Sequence, residues 1–224
     1  PAPFFFNQEM RIEEFAKCVR TLKPDIILLQ EVWDNKSLAQ LIAALPEYYS
    51  IYSPGIGYNY SGLLTLSRFA PETGRIRRYA MSLRHSLEEL IAQKSMLHLE
   101  LATGSRTLHL LNTHLYSAAP DKRYRPNLEQ FSLLTKAVGN ITGRVIVGGD
   151  MNLRPEEIET LLPANLQQEN SNLPTAGYPD LKQKLDYIIA GNSSGKTVIS
   201  GKRIDPLRRF SDHNPVFAEI IFGD

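Results

Sequence analysis

Apolar side chains recur at Ile12, Phe15, Ala16 and Val19 within Glu9–Leu22, the i, i+3, i+4, i+7 spacing of an amphipathic helix, and Pro24 ends it. Asp25–Val32 holds four consecutive aliphatics before a polar end and reads as a buried strand. Asn35–Leu45 suits a second helix, stopped by Pro46. Strands then follow quickly: Tyr49–Tyr52, Gly62–Arg68, Met96–Leu101 and Thr107–Leu115, the last two joined by a Gly104-Ser105 hairpin turn. Leu128–Val138 is helical in pattern and Arg144–Gly149 is a strand. A short helix begins at Pro155, where proline suits the first turn and Glu156 and Glu157 complement the helix dipole. Leu185–Ala190, Lys196–Ser200 and Val216–Phe222 complete the strands. Strands outnumber helices by about two to one and hairpins are common, so the fold class is α/β of the α+β kind, with mixed or antiparallel sheets.

No repeat, low-complexity tract or long linker divides the 224 residues, which predicts one domain. With 25 basic and 24 acidic side chains the net charge is +1, so no global field draws the chain to nucleic acid or anionic membrane. The single cysteine, Cys18, excludes an internal disulfide and a cysteine-rich zinc site. Apolar runs such as Ile26–Leu29 fall far short of the about 20 residues that cross a bilayer. No signal peptide is visible. The sequence opens at Pro1 without a methionine, so the compartment stays open.

Five strands deliver acids, histidines or amides to their ends: Gln30-Glu31, Asn112-Thr113-His114, Gly149-Asp150-Met151-Asn152, Asp186 within Lys-Leu-Asp-Tyr-Ile-Ile, and Asp212-His213 before the final strand. Strands hold such groups rigidly, as chemistry requires. Singly, each has a bland reading: Glu31 as a solvated terminus, His114 as a structural histidine, Asp150 as a turn former. Asp186 between Leu185 and Tyr187 needs a partner, because a carboxylate in an apolar strand is costly. His85, His98 and His109 read as structural or surface residues, the last two on the paired strands of the hairpin. Together, the acids, histidines and amides make the inventory of a metal-assisted phosphoryl hydrolase. A hard cation takes carboxylate oxygens, an oriented histidine moves a proton, and amide and imidazole donors bind phosphoryl oxygens.

On these pieces, with Pro24 through Val32, Ser61-Gly62-Leu63-Leu64 through Ser67-Arg68, and Ser211 through Val216, the sequence resembles the endonuclease/exonuclease/phosphatase superfamily, with its deoxyribonuclease-I-like fold. The resemblance implies a four-layer α/β/β/α sandwich of two mixed sheets with outer helices and an active site at one edge. It implies an enzyme that cleaves a phosphoester by in-line attack of water, with Mg²⁺ (or Mn²⁺ as substitute) on Glu31 and Asp212. Asp186 would orient His213. Either His213 or Asp150 would be the general base, and Asn152 and His114 would contact the non-bridging oxygens. Family members usually begin with a strand ending in an asparagine, and here that strand is expected upstream of Pro1, since Asn7 lacks strand context. For substrate, Glu31-Val32-Trp33 and the Ser61–Arg68 stretch look most like neutral sphingomyelinases, and Tyr48, Tyr49, Tyr52, Tyr58 and Tyr60 could touch lipid. Gly149 through Arg154 is similar to tyrosyl-DNA phosphodiesterases. The clusters Arg75/Arg77/Arg78/Arg84, Lys122/Arg123/Arg125 and Lys202/Arg203/Arg208/Arg209 could serve nucleic acid. The expectation leans to a phospholipid or small phosphodiester. Nucleic acid is the alternative, and a non-catalytic binding module on the same fold is the reading from another class.

Overall fold

The computed structural model describes residues 8–54, 59–80, 87–117, 125–171, 173–176, 183–193, 195–204 and 210–223. In chain order the elements are α1 (Gln8–Leu22), β1 (Ile26–Leu29), α2 (Asn35–Ala44), β2 (Tyr49–Tyr52), β3 (Leu64–Ser67), β4 (Pro71–Arg78), α3 (Leu87–Ala92), β5 (Ser95–Thr103) and β6 (Arg106–His114). They continue with α4 (Pro126–Gly139), β7 (Arg144–Asp150), α5 (Pro155–Leu161), β8 (Leu166–Gln168), β9 (Asp186–Asn192), β10 (Thr197–Arg203) and β11 (Val216–Phe222). One sheet has six strands in the order β4-β5-β6-β7-β9-β8, and its β6–β7 pair is parallel. Facing it are two antiparallel pieces, β1-β3-β2 and β10-β11.

The apolar pattern explains the layers. Ile26 and Leu28 of β1 join Leu97, Leu99, Leu101, Leu108 and Leu110 between the sheets, while Ile27 and Leu29 pack outward with Ala16 and Val19 of α1 and Leu38 of α2. A strand covered on both faces reads as an unbroken aliphatic run, which is why Ile-Ile-Leu-Leu carries no alternation. On the far side Phe131, Leu134 and Val138 of α4 and Ile158 of α5 cover Leu111, Val145, Val147 and Ile189. The result is the expected four-layer sandwich. Asp34 caps α2 by accepting from the Ser37 amide at 2.7 Å. No helix among the described residues is long and apolar enough to cross a membrane.

Three elements have no counterpart in the sequence reading. β4 is an exposed edge strand containing Pro71 and Gly74, so it carries little apolar signal. β8 and α3 span only three and six residues, too short for a period to show. Between β1 and β11, neither of which has a second strand neighbour among the described residues, lies an apolar groove of about 640 Å³.

Gly149 lets β7 approach β6 next to His114 and Asp150. Its φ is +140°, and a Cβ there would sit 1.9 Å from the Thr113 carbonyl oxygen. Gly149→Ala is therefore expected to cost about 3 kcal/mol, read as a lower urea midpoint at unchanged m-value. Unchanged stability would show that β6 and β7 need no such approach.

Candidate active site

Strand register brings the predicted residues into one row. His114 pairs with Asp150 across parallel β6 and β7, and Asp150 pairs with Asp186 across antiparallel β7 and β9. His114 Nε2 lies 3.5 Å from Asp150 Oδ2. His213, in the loop before β11, sets Nδ1 2.8 Å from Asp186 Oδ2. Ligand atoms of Asp150, Asp186 and His213 all fall within 4.8 Å of one another. The His213 loop is held from several sides: Arg11 donates to the Phe210 carbonyl at 2.7 Å, the Asn214 amide donates to the Thr175 carbonyl at 2.8 Å, and Phe15 meets Phe210 edge-on.

Charge balance in this buried row fixes the protonation states. Burial opposes ionisation of Asp150, but the hydrogen bond and charge of His114, with His213 and Lys94, hold its carboxyl below the usual range. Burial pushes Asp186 up, and the neighbouring Asp150 adds to this, while the bond from His213 works against it. For His213, burial favours the neutral ring, yet the Asp186 hydrogen bond and the Asp186, Asp150 and Asp212 charges together push it up to about 9. His213 is thus an imidazolium at neutral pH.

The remaining predicted residues sit at the rim. Asn152 donates from its backbone to Asp150 Oδ1 at 3.0 Å and from its side chain to the Leu115 carbonyl at 3.1 Å. Glu31 is exposed just beyond β1, and its charge reaches Lys94. Glu31 (φ +60°) and Asn152 (φ +49°) both adopt the left-handed region, which costs a non-glycine residue about 1 kcal/mol. The Glu31 turn is tied down behind: the Val32 amide donates to the Gly62 carbonyl at 2.9 Å, and Asn59 Nδ2 donates to the Val32 carbonyl at 3.0 Å. Gly62, with φ +64°, has no Cβ, and one would meet the Trp33 ring at 2.7 Å. Asp212 is half-buried beside His213 and accepts from Ser211 Oγ at 3.4 Å.

Two side chains, Lys94 and Asn127, escaped the sequence reading. Lys94, 3% exposed, brings Nζ to 2.6 Å from His114 Nε2 and 3.9 Å from Glu89. That contact places a second nitrogen donor group beside the His114 ring, on the same Nε2 that faces Asp150. Burial lowers the Lys94 pKa, against the pull of Glu89, Asp150 and Glu31. Its position directly before a buried strand was the only signal. Asn127, fully buried, donates to the Asn152 carbonyl at 2.7 Å. Asn112 binds the two sheets together through its side-chain amide.

Tyr48 belongs to the core, donating to the Pro24 carbonyl at 2.6 Å, so it is not part of a lipid-facing cluster. Tyr58, like Asn7 and His85, lies outside the described residues. Of the basic clusters, Arg75, Arg77 and Arg78 lie on β4, and Arg125 pairs with Glu157 at 2.7 Å. Arg84, Lys122, Arg123, Arg208 and Arg209 lie outside the described residues.

Residues 6–213 match the model of the Endonuclease/Exonuclease/phosphatase family. A 5'-tyrosyl-DNA phosphodiesterase of Caenorhabditis elegans is 32% identical over 155 residues, 66% of this chain and 39% of that protein. The chain thus spans about two-fifths of that curated relative's length. Among solved structures, D. rerio TDP2 complexed with single strand DNA product has TM-score 0.78 at 16% identity, covering 97% of this chain and 94% of that one. Sphingomyelinase C from Streptomyces griseocarneus has TM-score 0.72 at 18% identity, covering 98% and 93%. At these identities the structural likeness establishes the fold.

The Asp186–His213 pair makes a pH prediction for the metal-free protein. Raised above its ordinary 6.5, His213 stabilises the fold fully below about pH 6.5 and loses that contribution as pH rises through about 9. Asp186→Asn should return the ring toward or below 6.5 in an NMR titration and flatten the decline in melting temperature between about pH 7 and 10. A His213 titration unmoved by the substitution would show that Asp186 does not set its charge.

Proposed function

Because this chain belongs to the endonuclease/exonuclease/phosphatase family, we propose that the row His114, Asp150, Asp186 and His213 hydrolyses a phosphodiester by in-line attack of water. The coarse chemistry is that of a metal-dependent phosphoester hydrolase. The observation that carries the reading is the convergence of Asp150, Asp186 and His213 at one sheet end, with the His213–Asp186 bond at 2.8 Å.

The protonation states favour one division of labour. His213, an imidazolium at neutral pH, is poised to stabilise negative charge on the phosphoryl oxygens rather than to accept a proton. Asp150, held ionised, takes the water: its carboxylate orients the nucleophile and receives its proton. Asp186 fixes the His213 ring, and Asn152 lines the rim. Lys94 sets a cation behind His114, offsetting Glu31 and Asp150 and favouring an anionic substrate.

The donor set fits a hard divalent cation. Asp150, buried, and Asp186, half-buried, are opposed carboxylates, an arrangement that a cation relieves. His213 already occupies Asp186, so Glu31, which is exposed, and Asp212, which is half-buried beside His213, are the carboxylates that would hold the ion, Mg²⁺ in the first instance. When bound, it supplies Lewis-acid stabilisation of the phosphoryl group.

For substrate we favour a phosphodiester that joins an aromatic hydroxyl to a nucleic-acid end. The support is the 155-residue similarity to a 5'-tyrosyl-DNA phosphodiesterase, and the core position of Tyr48 removes part of the case for a lipid surface. Purified protein with Mg²⁺, Mn²⁺ or EDTA should be given a 5'-phosphotyrosyl oligonucleotide, sphingomyelin vesicles and bis(p-nitrophenyl) phosphate. We expect metal-dependent release of tyrosine, abolished in Asp150→Asn and His213→Ala with the fold retained by circular dichroism. Retained turnover in both variants would overturn the assignment, and preferential turnover of vesicles would overturn the substrate. Lys94→Met should lower kcat about tenfold or more, with Lys94→Arg recovering part of it.

A further inference from the structure

A second cluster of ligating side chains lies on the opposite face of the six-stranded sheet from the inter-sheet core. His98 and Glu100 alternate along β5 with Leu97, Leu99 and Leu101, which fill the space between the sheets. They therefore share the outer face, as residues two apart on a strand do. His109 stands directly across from Glu100 on antiparallel β6. Helices α4 and α5 cover Leu111 and Val145 on that face, while His98, Glu100 and His109 are only half-buried. His98 Nε2 and His109 Nδ1 are 3.2 Å apart, and a carboxylate oxygen of Glu100 lies with them inside 4.8 Å.

We propose that His98, Glu100 and His109 form a second metal site, suited to a borderline transition ion such as Zn²⁺ and separate from the catalytic row. Two nitrogens about 2.05 Å from a tetrahedral zinc lie about 3.3 Å from each other, close to the observed 3.2 Å. Two imidazoles and one carboxylate are a zinc donor set, whereas Mg²⁺ prefers oxygen ligands and water. The strand backbones fix the three Cβ positions before any ion arrives, so little ordering is needed. Arg75, across from His98 on β4, is an opposing neighbour, since its charge works against a bound cation. A plain imidazole–imidazole hydrogen bond accounts for the two histidines alone, but not for a carboxylate placed within the same reach. His109 precedes His114 by five residues on β6, about 17 Å of strand, so occupancy is not expected to disturb hydrolysis.

The test is calorimetric titration of metal-free protein with Zn²⁺ in excess Mg²⁺, which occupies the oxygen-rich catalytic site. One zinc should bind, about tenfold or more weaker in His98→Gln and His109→Gln, several-fold weaker in Glu100→Gln, and tighter in Arg75→Gln. Hydrolysis should be unchanged in all four. On the unsubstituted protein, saturating Zn²⁺ should protect His98 and His109 from diethyl pyrocarbonate, read peptide by peptide by mass spectrometry. Failure to bind zinc, identical isotherms for the His98→Gln/His109→Gln double variant and the parent, or absence of protection would each overturn the site.

Discussion

Asn112 sits where the two β-layers touch, without access to solvent, and spends its whole amide on joining them. Its Nδ2 donates toward the Leu29 and Leu64 carbonyls and Thr65 Oγ1, each at 3.2 Å, and its Oδ1 accepts from Gln30 Nε2 at 2.8 Å. Leucine against leucine attracts without direction, and a purely apolar interface would tolerate sliding of one sheet over the other. A buried amide does not, because leaving its partners unpaired costs about 1–3 kcal/mol. The bond to Gln30 comes one residue before Glu31, and Asn112 itself comes two residues before His114. The same group thereby sets the rim carboxylate on one sheet against the row of acids and histidines on the other.

That row gathers charge in a place where charge is expensive. Asp150, Lys94 and His114 are buried and Asp186 and His213 half-buried, and the charges of Asp150, Asp186 and His213 each depend on the others. The basic groups Lys94 and His213 stand against the carboxylates at fixed positions, and fixed groups of this kind need little reorganisation when charge develops on a phosphoryl group.

Much of this was legible in the chain. Polar residues that end apolar strands marked His114, Asp150 and Asp186 directly, since a strand end can point only where the sheet puts it. His213 was legible as the neighbour of Asp212, and its pairing with Asp186 was expected from the family resemblance; what the sequence did not announce is the packing of its loop against α1 and Thr175. Lys94 and Asn127 were illegible because their roles arise from contacts distant in sequence, with no period or spacing to announce them. His98 and His109 were placed correctly on paired strands. Their nearness to Glu100 follows from the hairpin register, which a sequence constrains only through its turn. β4 was missed because an edge strand open to water has no apolar face to display.

That same strand has a bearing on solubility. An outer β-strand offers a row of free backbone donors and acceptors to any other chain, and long flat edges invite association. β4 spans eight residues and is the outer strand on one side of the large sheet, but Pro71 withholds a donor, the pairing with β5 slips between Pro71 and Thr73, and Arg75, Arg77 and Arg78 crowd its second half. Two such edges brought together would set guanidinium against guanidinium. The arginines that resemble a nucleic-acid patch in the sequence thus also work as a guard against stacking of the sheet on its own copies.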